Sequence, residues 1–164
     1  MINTAKVEPN ARIVVFGLGG IGLNAIQGHA HGGRRDDRRI NLNPNRCSIA
    51  EEFGMTHFLN PTDVAGDLVP YLVDLTKGGA DCEGVRRALE CVHRGWGQSI
   101  IIGVAGAGQE ISTRPFQLVT ERVLKDTTCG GTRGHTDVPG VVDWLDGRIN
   151  IDDLITHVLP RALQ

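Results

Sequence analysis

The segment Arg12-Ile-Val-Val-Phe16, followed at once by Gly17-Leu-Gly-Gly-Ile-Gly22 and a helical stretch from Leu23 to about His29, constrains this chain more than any other feature. The β-branched run reads as a strand, the glycines as a tight turn and the continuation as a helix. A strand that turns straight into a helix is the opening unit of an α/β fold with a parallel sheet. Composition supports that reading. Glycine supplies 22 of 164 residues and aromatic residues only 4%, so tight loops join elements packed mainly by aliphatic side chains. There is no collagen-like glycine period, and 40% hydrophobic residues with a net charge of −2 exclude a disordered chain.

Further elements continue the alternation. Asn43-Pro44 is expected to open a helix over Ser48–Phe53, stopped by Gly54. His57–Leu59 reads as a short strand closed by Asn60-Pro61. Apolar residues at 68, 69, 72, 73 and 75 mark one face of a helix over Leu68–Thr76, ended by Lys77-Gly78-Gly79. Val85–Arg94 is a further helix before Gly95, and Ser99–Val104 a strand buried on both faces. Val138–Leu145 reads as a helix with Pro139 in its first turn, and Ile155–Leu159 as a last strand. No linker or internal repeat divides the chain, so residues 1–164 are expected to form one doubly wound domain.

The near-neutral charge argues against nucleic acid as the main partner. The longest run of glycine and apolar residues, Ile13–Leu23, falls well short of the roughly 20 that span a membrane. No basic-then-apolar leader opens the sequence. The four cysteines form no CxxC pair, so reduced thiols and a cytoplasmic protein are expected.

The glycine turn carries the chemistry. Its first glycine permits the turn, its second lets the backbone approach a pyrophosphate, and its third lets helix and strand pack closely. The amides at the helix start then face the phosphates with about half a positive charge behind them. Gly17, Gly19, Gly20, Ile21 and Gly22 are therefore candidate dinucleotide-binding residues. An acidic residue that grips the ribose belongs about 20 residues on, yet Asn41 stands there. Before it runs Arg34-Arg-Asp-Asp-Arg-Arg39, which an internal strand cannot bury without a large penalty. Either the second strand is only Ile40–Leu42, or this part of the sheet is degraded. The arginines attract a 2′-phosphate, which keeps NADP open beside NAD; a solvated charged loop is the alternative.

The segments Asn3-Thr-Ala-Lys-Val-Glu-Pro9, Val15-Phe-Gly-Leu-Gly-Gly-Ile-Gly-Leu23, Glu52-Phe-Gly-Met-Thr-His57, Gly66-Asp-Leu-Val-Pro-Tyr-Leu-Val-Asp-Leu-Thr76 and Ala88-Leu-Glu-Cys91 resemble the cofactor domain of class III alcohol dehydrogenases, also called S-(hydroxymethyl)glutathione dehydrogenases. His93-Arg-Gly-Trp-Gly97, Gly103-Val-Ala-Gly-Ala-Gly108, Ser112-Thr-Arg-Pro-Phe-Gln-Leu-Val-Thr120 and Ile149-Asn-Ile-Asp-Asp-Leu-Ile-Thr-His157 extend the resemblance over nearly the whole chain. It implies a Rossmann-like domain that holds NAD, while zinc in a separate catalytic domain acidifies an alcohol that yields hydride to the nicotinamide. It implies that Ile102, Gly103, Val104, Thr128 and Cys129 line the nicotinamide side. It places Asn41 where the family has an acidic ribose ligand, and Arg46 at a nearby basic position. It also implies that Phe116–Val119 is an edge that pairs across a homodimer.

The departures from that family are specific. Set against the family, these residues are expected to begin after the catalytic domain and so to lack its zinc ligands. Asp81 runs almost directly into Glu83-Gly-Val-Arg-Arg87, about eight residues shorter than the family, which removes a fourth strand of ordinary length. Asp126, Thr128 and Cys129 replace small or aromatic residues. The expectation is the NAD-binding part of a class III type dehydrogenase, not catalytic alone; a non-catalytic dinucleotide module and a non-functional remnant are the alternatives.

Other residues invite functions they do not support. His29 and His31, like Cys91 and His93, are two apart and face different sides of a helix. For Cys82 the sequence names no partner that would make it a nucleophile, so an ordinary thiol is expected. Asp152-Asp153 reads as solvated turn carboxylates and Trp96 and Trp144 as packing residues; Thr113-Arg114 could touch a phosphate, with a surface arginine as the alternative. A short-chain dehydrogenase is excluded because the only tyrosine, Tyr71, is followed four residues on by Leu75 and not lysine. A P-loop NTPase is excluded because no Gly-Lys-Ser/Thr closes a glycine loop.

Overall fold

The computed structural model describes residues 3–8, 11–30, 37–40, 46–64, 66–75, 84–104, 106–144 and 149–159. Strand β1 (Ile13–Phe16) leads through the glycine turn into helix α1 (Gly20–Ala30). Strand β2 (Asp37–Ile40), helix α2 (Cys47–Glu52) and strand β3 (His57–Leu59) follow. Helices α3 (Leu68–Leu75) and α4 (Gly84–Cys91) come next, then strand β4 (Gln98–Ile101). Helix α5 (Pro115–Val119), strand β5 (Val123–Asp126) and helix α6 (Gly134–Trp144) complete the set.

All strand pairs are parallel. β1, β2 and β3 form one sheet with β2 in the centre, and β4 and β5 form a second sheet of two strands. Alternation along β1 puts helices on both faces, as a doubly wound fold requires. Val14 and Phe16 pack with Leu68 and Leu72 of α3. Val15 instead faces Gly22 at the start of α1. β3 repeats the pattern, with Phe58 against the cluster of Leu18, Leu23, Ile26, Ala50, Phe53 and Met55, and Leu59 against the α3 side.

The charged run is not all loop. Asp37, Arg38 and Arg39 lie in β2, with Val14 opposite Arg38 and Val15 opposite Arg39. The second strand thus starts three residues earlier than Ile40–Leu42, because ladder pairing with β1 and β3 overrides the pattern of the side chains. Residues 31–36 and Asn41 lie outside the described residues. Helix α2 also starts differently: Arg46 sits at its N-cap position with helical backbone angles and no side-chain cap. Asn43 and Pro44 lie outside the described residues. The stop at Gly54 is as expected. Its φ of 95° lets Gly54 and Met55 donate to Glu51 and Ala50 carbonyls, both at 2.9 Å.

Among the described residues no strand lies between Leu59 and Gln98, and the sheet is divided at that place. Four other expectations fail. β4 stops at Ile101 and is not buried on both faces: Ser99 is buried, Ile100 and Ile101 are half-buried, and Val104 is fully exposed. Residues 155–159 form no strand; an apolar run alone has no ladder partner there, and a short 3-10 turn, Asp152–Leu154, precedes it. α6 begins at Gly134, so Pro139 lies inside the helix and not in its first turn. Trp96 is 79% exposed and packs nothing away from solvent.

Candidate dinucleotide site at the glycine turn

The turn between β1 and α1 is shaped by glycine at two places. Gly17 has φ +86°, a left-handed conformation that a side chain disfavours. A Cβ on Gly22 would drive into the carbonyl oxygen of Gly17 and touch Val15. Helix and strand can therefore approach this closely only without a side chain at 22. At Gly19 and Gly20 the reverse holds: a Cβ there would meet nothing within 4 Å, so the backbone borders open space. Leu23 donates its amide to Gly19 O at 2.9 Å. The amides of Gly20, Ile21 and Gly22 precede that bond and have no helical acceptor. No acidic side chain lies in the first turn of α1 to neutralise them.

Neighbouring side chains fix the turn. Leu18 and Leu23 are buried at 2% and 1% exposure, while Ile21 points outward. Further along α1, Gln27 exchanges two hydrogen bonds with the backbone of Asn150, at 2.8 and 3.0 Å. That pair ties the helix to the segment near the C-terminus. The open backbone of this turn is therefore at Gly19 and Gly20, with Gly17 and Gly22 setting its shape.

The remaining candidates are distributed differently. Ile102, Gly103 and Val104 leave the C-terminal end of β4, and Thr128 and Cys129 leave that of β5. Parallel pairing brings these two groups to the same end of the two-stranded sheet, and Thr127 extends the ladder by donating to Ile101 O at 3.1 Å. Ile102, Gly103, Val104, Thr128 and Cys129 are all exposed. The glycine turn belongs to the three-stranded sheet. Arg46 is half-buried at the start of α2, and Asn41 lies outside the described residues.

Sequence reasoning missed the strained loop that follows β5. Cys129, Gly130 and Gly131 have φ of 53°, 68° and 68° in succession. A Cβ on Gly131 would come within 2.9 Å of Thr4 Oγ1. Thr4 in turn hydrogen-bonds Thr127 at 2.8 Å, and Asn3 donates to Gly131 O. The Gly130-Gly131 pair was the available signal. Residues Phe116–Val119 lie in α5, so they do not extend a sheet as an edge strand; proline at the first helical position favours the helix. Among the described residues, no three His, Cys, Asp or Glu side chains converge as a metal site.

Comparison with known proteins agrees with this geometry. The family model for zinc-binding dehydrogenases matches residues 20–147. The chain is 58% identical over 174 residues to S-(hydroxymethyl)glutathione dehydrogenase of Paracoccus denitrificans, covering 97% of this chain and 46% of the relative. It is 56% identical to the class 3 alcohol dehydrogenase of Cereibacter sphaeroides, with the same coverage. It thus spans about half the length of these relatives. The crystal structure of a zinc-binding dehydrogenase from Sinorhizobium meliloti 1021 bound to NADP superposes with a TM-score of 0.75 at 24% identity, over 90% of this chain and 45% of that one. A strand–glycine–helix turn of this shape, set in a parallel α/β fold and carried by that degree of sequence identity, places the chain in the zinc-binding dehydrogenase family, alongside its class III alcohol dehydrogenases.

Proposed function

We propose that residues 1–164 act as the dinucleotide-binding domain of a class III type alcohol dehydrogenase and hold NAD at the glycine turn. The observation that carries this reading is the close approach at Gly22 beside open backbone at Gly19 and Gly20. Gly17, Gly19, Gly20, Ile21 and Gly22 would hold the diphosphate. Asn41 and Arg46 would lie toward the adenosine ribose, and Ile102, Gly103, Val104, Thr128 and Cys129 toward the nicotinamide. When bound, NAD supplies a hydride acceptor for an alcohol carbon. The chain's own part is to bind and orient: free amides meet phosphate charge, and the exposed ends of β4 and β5 shelter one ring face. Oxidation of S-(hydroxymethyl)glutathione or primary alcohols would draw its zinc chemistry from a catalytic domain, as the family resemblance implies.

A titration with NADH, followed by nicotinamide fluorescence, tests the reading. Saturable binding that Gly22→Val abolishes is the expected result, with circular dichroism used to confirm that the variant folds. No saturable change up to millimolar NADH would overturn it. NADPH in parallel decides between NAD and NADP; preference for NADPH would implicate the arginines around β2. The divided sheet favours one second reading, a remnant that no longer binds, and the same titration separates the two.

A homodimer is proposed through the exposed Phe116, Leu118 and Val119 side chains of α5, by side-chain packing and not by sheet extension. Sedimentation of the wild type and of Phe116→Ser checks it. A reducing, cytoplasmic compartment fits the unbridged thiols of Cys47 and Cys129. Among the described residues no helix is long and apolar enough to cross a membrane.

A further inference from the structure

A cleft of about 710 Å³ lies between the start of α3, α4, the turn after α4 and the segment around α5. Four guanidinium groups line it, those of Arg86, Arg94, Arg114 and Arg122, against two carboxylates, Asp67 and Glu90. Both carboxylates are already engaged. Glu90 takes Arg86 Nε at 2.9 Å, and Asp67 accepts the amide of Val69 at 3.1 Å at the start of α3. Arg122 is pinned by neutral acceptors: Val92 O at 2.9 Å, Glu90 O at 3.3 Å, Thr120 Oγ1 at 2.9 Å and the Gln117 side chain. Its position is fixed by neutral atoms, and Glu90, whose charge it feels, is already paired with Arg86. Arg94 and Arg114 are exposed and make no ion pair among the described residues.

Like charges held together in a concave wall repel one another, and an anion between them removes that penalty. Burial, and then the nearness of Arg94, hold the Arg122 guanidinium below its ordinary pKa, a sign that this repulsion is felt. Arginine forks suit planar or tetrahedral oxyanions and bind them bidentately.

We propose that this cleft is a second ligand site, separate from the glycine turn, that takes a small oxyanion-bearing molecule, phosphorylated or carboxylated, on Arg94 and Arg114 against the fixed charge of Arg122. The test is an NMR titration of the intact chain with pyrophosphate, reading the guanidinium Nε–Hε resonances, with citrate in parallel to distinguish phosphate from carboxylate ligands. Saturable shifts of Arg94 and Arg114 that persist with NADH present are expected. Arg94→Gln with Arg114→Gln should weaken binding by at least about tenfold, the scale of one charge-assisted hydrogen bond. Lys125→Gln, which removes a charge elsewhere, should leave it intact. The proposal is overturned if these resonances do not move up to about 10 mM anion, if the double variant binds as tightly as the wild type, or if NADH displaces the anion.

Discussion

The segments before and after Ser99 are built on different terms. Up to that residue the chain has a core: Leu23, Ile26, Leu72, Leu89 and Cys91 are at most 1% exposed, in a segment that carries three paired strands. Beyond Ser99 not one described residue is buried. Val138, Val141 and Val142 of α6 and Phe116 and Leu118 of α5 stay open to solvent. A sheet of two strands cannot be covered on both faces by its own short helices, so this later segment is held by turns and by hydrogen bonds to the earlier one: Thr4 and Asn3, Gln27 to Asn150, and Arg122 to the Val92 and Glu90 carbonyls. The comparison teaches that two segments of one family-matched chain can differ sharply in burial: an apolar face is buried only where its neighbours are present, and this chain spans about half the length of its relatives.

Mutations that act in only one segment sharpen the contrast. Leu23→Ala should cost about 2–5 kcal/mol in a urea melt, because it empties a closed core. Val142→Ala on α6 should fall within about 0.5 kcal/mol; equal effects would break the comparison. Arg122→Ala comes next. It strips the donors from Val92 and Glu90 carbonyls and should cost about 1–3 kcal/mol by the same melt. Gly131→Ala is smaller, about 1 kcal/mol, from its positive φ and the crowding against Thr4; it should free the first residues of the chain, seen as faster amide exchange. The smallest effect is electrostatic. The amide and side chain of Arg133 hold the Asp137 carboxyl below its ordinary value. That contribution is complete above the ordinary carboxylate range and is lost as pH falls through the lowered folded value. Acid should therefore fray the start of α6 first, visible as line broadening at Arg133 and Thr136 while α1 is unchanged.

Much of the earlier segment was legible in the residues. β1, the glycine turn, α1, β3 and α3 each carry their own signal, from β-branched runs to helical spacing and a stopping glycine. The elements that escaped depend on neighbours. Asp37-Arg-Arg39 reads as charged loop and joins Ile40 in the central strand because two flanking strands bond to it. Val-Leu-Lys-Asp at 123–126 is too short and too mixed to read as a strand, yet β4 recruits it. Ile155–Leu159 looks like a strand and finds no partner. Pro139 suggests a helix start, but a helix already running from Gly134 accommodates it. At the candidate site the same rule applies. The turn is local and was readable, whereas the Cys129–Gly131 loop takes its shape from Thr4 and Asn3, over a hundred residues away.

The crowding between position 22 and the carbonyl of Gly17 also makes this turn a recorder of selection. Any replacement at 22 must displace main chain, so a population that still depends on the protein will purge every such allele. One that has abandoned it will accumulate them at the neutral rate. Sequencing this codon across many isolates reads that history without a single binding assay.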